Sequence, residues 1–199
     1  MERRAADGAG ADRAAVGGDL AGAVAAAWGG PQRHPHLARR HQRQPPRPRQ
    51  GRPQAVSEAA AALRWNGAKL VLTCGDALLV LRRDDIPTIN WPGCWDLPGG
   101  KREGDESPAD CALRELFEET GLTLDPSRLR GRARELPHRP GRAGWYFHAE
   151  ITAAEAGAAV LGDEGAELRL MALAEFVTHP EAVPHFREVV RELLGMAAP

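Results

Sequence analysis

Residues 100–122, Gly-Lys-Arg-Glu-Gly-Asp-Glu-Ser-Pro-Ala-Asp-Cys-Ala-Leu-Arg-Glu-Leu-Phe-Glu-Glu-Thr-Gly-Leu, constrain this chain more than any other stretch. Ser107 suits a helix N-cap, and Pro108 suits the first helical position, where no N–H is needed. From Ala109 to Glu119 there is no glycine and no β-branched residue, so helix is the expected state. Gly121 stands where a left-handed C-terminal cap is wanted. The spacing therefore predicts a helix of about three turns entered from the Gly99-Gly100 loop.

On that helix Ala109, Ala112, Leu113, Leu116 and Phe117 share one arc, at about 100° per residue. Glu115, Glu118 and Glu119 share another, spaced i, i+3, i+4. Like charges at that spacing destabilise a helix by a few tenths of a kcal/mol each, so a compensating cation is expected. Hard divalent ions such as Mg²⁺ prefer such carboxylate oxygens. Taken alone, three glutamates also describe a solvated acidic face. Their setting decides between the two. Gly100, Glu106, Arg114, Glu115, Leu116, Glu118, Glu119, Gly121 and Leu122 reproduce, without departure, the pattern Gly, five residues, Glu, seven residues, Arg-Glu-apolar-any-Glu-Glu-any-Gly-apolar. Seven fixed identities coincide by accident in about one window in 10⁸ at ordinary residue usage. The stretch resembles the signature of the Nudix hydrolase family, in its MutT-type form.

That resemblance covers roughly residues 66–196. It implies an α+β fold, an α/β/α sandwich with a mixed β-sheet between helices. It also implies hydrolysis of a phosphoanhydride in a nucleoside diphosphate linked to another moiety, a nucleoside triphosphate or related nucleotide. Glu115, Glu118 and Glu119 are then metal ligands and catalytic acids, with the Gly100 carbonyl as a further ligand. Glu106, Arg114 and Gly121 are structural in the motif. The expected cofactor is Mg²⁺, with Mn²⁺ as a substitute. The physical logic agrees: a polyanionic substrate would be repelled by three carboxylates unless a divalent cation bridged them. Glu164, in a Gly-rich loop, is a candidate further ligand or general base, and Arg82 and Arg83, ending a strand, are candidates for phosphate binding. Trp91, Trp145 and Phe147 are candidates to stack a base. A different class of function is a regulatory module of the same fold that binds nucleotide without turnover.

Along the rest of the chain, 69–74 and 77–82 read as a hairpin around Gly75-Asp76, and 95–97 as a short strand. Strands are expected at 129–136, 145–151 and 167–171, with an exposed turn over 137–144 and a loop over 157–165. Residues 173–177 suit one or two helical turns, and 182–194 carries apolar residues at helical period. Residues 63–199 are therefore expected to form the domain.

Residues 1–62 read as a disordered extension rich in Ala, Gly, Arg and Pro, with too few large apolar residues to offset ordering entropy. A short helix at 57–63 leads into the domain. From Leu20 to Ser57 there are seven Arg, three His and no acid, so a weak nucleic-acid role for this arm is the alternative to a bland extension. The net charge of −1 favours no particular macromolecular partner. The expected partner is a small-molecule nucleotide, with no membrane and no stated oligomeric state. Cys74, Cys94 and Cys111 form no paired spacing, which fits neither disulfides nor a zinc site and points to the reducing cytoplasm.

Overall fold

The computed structural model describes residues 64–136 and 139–197. The extension expected over 1–62, its basic arm and the helix at 57–63 lie outside the described residues. Seven strands form one mixed sheet: β1 (Arg64–Cys74), β2 (Ala77–Arg82), β3 (Trp95–Asp96), β4 (Gly99–Lys101), β5 (Arg130–Leu136), β6 (Arg139–Glu150) and β7 (Glu167–Ala172). The helices are α1 (Pro108–Thr120), α2 (Ala153–Ala158), α3 (Leu173–Phe176) and α4 (Pro184–Leu194).

β1 is central and alternates strictly. Ala68, Leu70 and Leu72 face a core shared with Cys111, Ala112 and Leu116 of α1 and Ala156 of α2. Val71 faces a second core with Phe176 of α3 and Phe186, Val189 and Val190 of α4. The sheet thus lies between two helical layers, the expected sandwich. Burying each fully covered Leu in these layers contributes on the order of 1.5–3 kcal/mol. Among the described residues no helix is long and apolar enough to cross a membrane.

β1 and β2 pair only beside their turn, at Thr73–Leu78 and Cys74–Ala77. Beyond it they diverge. β1 takes β4 as its neighbour and β2 takes β3, so residues 95–101 fill a fork in the sheet. The Leu70 N–H donates to the Pro98 carbonyl at 2.8 Å, and the Arg83 N–H to the Cys94 carbonyl at 2.9 Å, pinning both sides of the fork.

Three local expectations need correction. The turn expected over 137–144 is mostly strand, because β6 pairs with β5 and, in parallel, with β1 as far back as Arg142. A register shift between Glu135 and Leu136 leaves an irregular stretch opposite, where Pro140 and Gly141 are tolerated. Pro137 and His138 lie outside the described residues. The loop expected over 157–165 is preceded by α2, whose Thr152–Glu155 capping box is a readable signal that strand and turn patterning obscured. Finally, α1 buries Cys111, Ala112, Leu116, Glu119 and Thr120, while Leu113 and Phe117 are only partly covered. Its core face is rotated toward Glu119.

Candidate active site

α1 begins and ends as its sequence dictates. Ser107 Oγ accepts the Asp110 N–H at 3.2 Å. Gly121, at φ +68°, caps the C-terminus, its N–H donating to the Phe117 carbonyl at 2.8 Å. The helix lies against the fork through two glycines. Gly99 has φ +123°, and a Cβ there would stand 2.2 Å from the Ala68 carbonyl oxygen, so only glycine fits. Its N–H donates to Glu119 Oε2 at 2.7 Å. At Gly100 a Cβ would fall 2.3–2.5 Å from the Glu115 carboxylate, which occupies the space a side chain would need.

Arg114 organises the rest. Its Nε and Nη2 grip both oxygens of Glu106 at 3.1 and 2.9 Å, and Nη2 also donates to the Lys101 carbonyl at 2.9 Å. Its Nη1 lies 3.0 Å from Glu115 Oε1 and 3.0 Å from Glu118 Oε2. Burial pushes the Glu106 carboxyl up, but the Arg114 hydrogen bond and the Glu103 N–H outweigh it, so its pKa lies below the usual carboxylate value. The guanidinium is held above its ordinary pKa chiefly by the Glu106 hydrogen bond. Glu106 and Arg114 thus tie the loop 102–107 to α1, as the resemblance implies.

The three signature glutamates separate by environment. Glu118 is half exposed and Glu115 is largely covered. Burial raises the Glu115 pKa, against the pull of Arg114. Glu119 is only 8% exposed. Burial pushes it from the usual 4.5 up to about 8, with Asp96 and Glu115 adding to the rise and Lys69 and the Gly99 N–H opposing it. Convergence is therefore partial: Glu115 and Glu118 meet on Arg114, while Glu119 engages Gly99. Among the described residues no three acidic, His or Cys groups stand in metal-binding geometry.

The donor set nevertheless suits a hard cation. It consists of carboxylate oxygens on consecutive turns of a rigid helix, and the buried Glu119 lacks enough positive charge nearby to keep an ordinary pKa. The Gly100 carbonyl accepts a long 3.8 Å contact from Cys111 Sγ, and Gly100 pairs with Ala68 in the ladder.

The fork adds two residues that the signature does not contain. Asp96 is 2% exposed and accepts from Lys69 Nζ at 3.0 Å and Arg83 Nη1 at 2.7 Å. Lys69 also donates to the Leu97 carbonyl at 2.9 Å. Of the two candidate arginines, Arg83 therefore joins this centre. Arg82 turns instead to the Gly93 carbonyl at 3.0 Å, to Glu181 at 3.3 Å and to the ring of Trp95. Glu164 is exposed on a loop that closes over the C-terminal end of α1. There the Val160 N–H donates to the Thr120 carbonyl at 2.9 Å and the Gly162 N–H to the Glu119 carbonyl at 2.8 Å.

Of the aromatic candidates, Trp145 and Phe147 are buried and stacked on each other in the core. Trp91 is 46% exposed, at φ +55°, with its ring 6.4 Å from that of His185.

A family model, described as NUDIX domain, matches residues 57–193. The chain belongs to the NUDIX family. The NUDIX match has curated relatives of partial extent. One is m7GpppN-mRNA hydrolase NUDT17 of Danio rerio, 40% identical over 63 residues, or 32% of this chain and 21% of the relative. Another is a MutT-like protein of Streptomyces ambofaciens, 36% identical over 77 residues, or 39% of this chain and 40% of the relative. The chain thus spans between about a fifth and two fifths of these relatives' lengths. Among solved structures, the MutT protein from Methanosarcina mazei Go1 matches with a TM-score of 0.53 and 25% identity, over 67% of this chain and 95% of that one.

Within this NUDIX domain, Lys69 and Asp96 join the candidate site although the signature does not contain them. A signal existed. Lys69 is one of only two lysines and interrupts the apolar run of β1, and Asp96 lies inside the Trp-Asp-Leu-Pro-Gly-Gly approach to α1.

The raised Glu119 pKa has a stability consequence. Between about 4.5 and 8 the folded chain holds a proton that the unfolded chain has released. Stability of the metal-free protein is therefore expected to be full below that window and to fall as pH rises through it. Thermal unfolding in chelator from pH 5 to 8.5 should show this slope, and Glu119→Gln should flatten it. Equal slopes in the two proteins would rule out Glu119 as the group responsible.

Proposed function

We propose that this NUDIX chain is a metal-dependent hydrolase that cleaves a phosphoanhydride bond in a nucleoside diphosphate linked to another moiety, a nucleoside triphosphate or related nucleotide. The observation that carries this reading is the placing of the three acids: Glu119, buried and held by the Gly99 N–H, stands with Glu115 and Glu118 on consecutive turns of α1 beside the fork of the sheet. A divalent cation held by Glu115, Glu118 and Glu119 supplies charge neutralisation for the phosphates and a more acidic water.

The chain's own groups divide the remaining work. Glu115, with its pKa raised by burial, is suited to accept a proton from the attacking water. Glu164, exposed on the same loop as Val160 and Gly162, is the second candidate for that role. Arg83, held toward the fork by Asp96, presents its guanidinium to a substrate phosphate. Trp91 offers the exposed ring for a base. The name of the Danio rerio relative, a hydrolase of m7GpppN-mRNA, supports a nucleoside-linked phosphate chain. An intact acidic set speaks against the regulatory-module reading.

The test is phosphate or pyrophosphate release from a nucleotide panel, with Mg²⁺ or Mn²⁺ and then with excess chelator. Turnover is expected only with metal. Full turnover in chelator would sink the metal-dependent reading. Saturable nucleotide binding with no turnover on any substrate would return the chain to the regulatory class.

A further inference from the structure

At the C-terminal end of β4 lies an open cleft whose lining, among the described residues, is Asn66, Lys101, Arg102 and Arg142. Its volume of about 520 Å³ falls within the roughly 300–1,000 Å³ of small-molecule sites. Three of these four described residues are cations, in a chain whose net charge is −1. Among the described residues none of the three cations is ion-paired with an acid, whereas Arg83, Arg114, Arg128, Arg132, Arg134 and Arg169 all are.

The cleft is also pre-formed. The Arg102 guanidinium lies over the Trp65 ring, 4.6 Å from its centroid, which fixes a planar fork at little entropic cost. Arg142 Nη1 donates to Asn66 Oδ1 at 2.9 Å, so the amide NH₂ of Asn66 is left to donate. The backbone holds these positions in register: Gly67 pairs with Lys101, Arg64 with Arg142, and the Arg102 N–H donates to the Asn66 carbonyl at 2.9 Å.

Its position gives it a role. β4 leads from Gly99, which binds Glu119, through Gly100, which abuts Glu115, to Lys101 at the cleft. A strand advances about 3.3 Å per residue, so Lys101 stands only about 7 Å along β4 from Gly99, within reach of a chain of phosphates that starts at the acidic face. We propose that this cleft is a polyanion subsite that takes the phosphate-bearing leaving side of the substrate, opposite the nucleoside end at Arg83 and Trp91. This rests on the hydrolase reading for its place in the reaction, but not for its chemistry. The preferred substrates are those with several phosphates beyond the cleaved bond, such as dinucleoside tetraphosphates, over nucleoside diphosphate sugars with an uncharged leaving side.

The test uses the full chain and two probes. The first is inorganic tripolyphosphate, titrated calorimetrically in chelator at low salt, against the wild type, Arg102→Gln/Arg142→Gln and Lys101→Gln. Lys101 takes part in the ladder and in the Arg114 contact through its backbone alone, and it is exposed, so its side-chain variant serves if the double variant fails to fold. Affinity is expected to fall at least tenfold in the double variant and about threefold in Lys101→Gln. Unchanged affinity in folded variants overturns the proposal. The second probe is kinetic: with Mg²⁺, KM for a dinucleoside tetraphosphate should rise about tenfold in the double variant with kcat within twofold, and KM for a nucleoside diphosphate sugar should stay within twofold. Equal rises for both substrates overturn the assignment to the leaving side. A single-stranded RNA that displaces tripolyphosphate at far lower phosphate concentration, and loses this in the variants, also overturns it in favour of a nucleic-acid surface. If no substrate turns over, the hydrolase reading falls, and the metal-free titration still decides the cleft.

Discussion

Glu119→Gln is expected to leave a folded protein with kcat lowered by roughly 10² to 10⁴, the size of effect that metal-assisted charge stabilisation supplies. Glutamine keeps an acceptor for the Gly99 N–H, now 2.7 Å from Glu119 Oε2, so the fork stays closed. It removes the negative charge that burial opposes and that a cation requires. The variant should therefore be at least as heat-stable as the wild type near pH 8 without metal, yet bind Mg²⁺ more weakly. Glu118→Gln should lose rate on the same scale, without the stability gain, because Glu118 is half exposed. Glu106→Gln should behave differently, losing stability with a smaller kinetic effect at saturating metal, since both Glu106 oxygens are gripped by Arg114. The measurement is kcat against Mg²⁺ concentration for the three variants, with thermal unfolding alongside. Near-full rates in folded Glu118→Gln and Glu119→Gln would mean that this face is not the metal site.

Arg114→Ala should show a large stability loss. One guanidinium satisfies Glu106, Glu115, Glu118 and the Lys101 carbonyl. Removing it leaves Glu106 and Glu115, both mostly covered, without their guanidinium partner. Breaking a buried pair in this way costs about 3–5 kcal/mol. Partial solvent screening places the expected loss near the lower end, about 3 kcal/mol, or a Tm lower by about 10 °C for a domain of this size. Arg114→Lys should recover only part of it, because an ammonium cannot span both Glu106 oxygens as the fork does. Added Mg²⁺ should raise the Tm of Arg114→Ala by more than it raises that of the wild type, since the cation takes over the neutralisation of Glu115 and Glu118. A Tm within about 2 °C of wild type in Arg114→Ala would remove Arg114 from its bracing role.

How much of this was readable in the chain depends on whether the cause was local. Helix α1 was legible to within a residue, because a cap, an N1 proline, an uninterrupted run of helix formers and a C-terminal glycine are all written within the stretch 107–121. The hairpin of β1 and β2 was legible for the same reason. The capping box of α2 is equally local, written in Thr152 and Glu155.

Other features have no local cause. The helical arc placed Glu119 with Glu115 and Glu118, but the sheet fork brings the Gly99 N–H to Glu119 and sinks it, and that fork exists only because β1 and β2 part and 95–101 enters between them. The same event buries Asp96 between Lys69 and Arg83, residues 27 and 13 positions away, and sends Arg82 elsewhere. It also separates Trp91, left at the surface, from Trp145 and Phe147, which stack in the core. Motif spacing and helix capping are short-range, so the candidate residues could be read along the chain. Which of them share one environment and one field depends on strand order, because burial and Coulomb interactions follow distance in space.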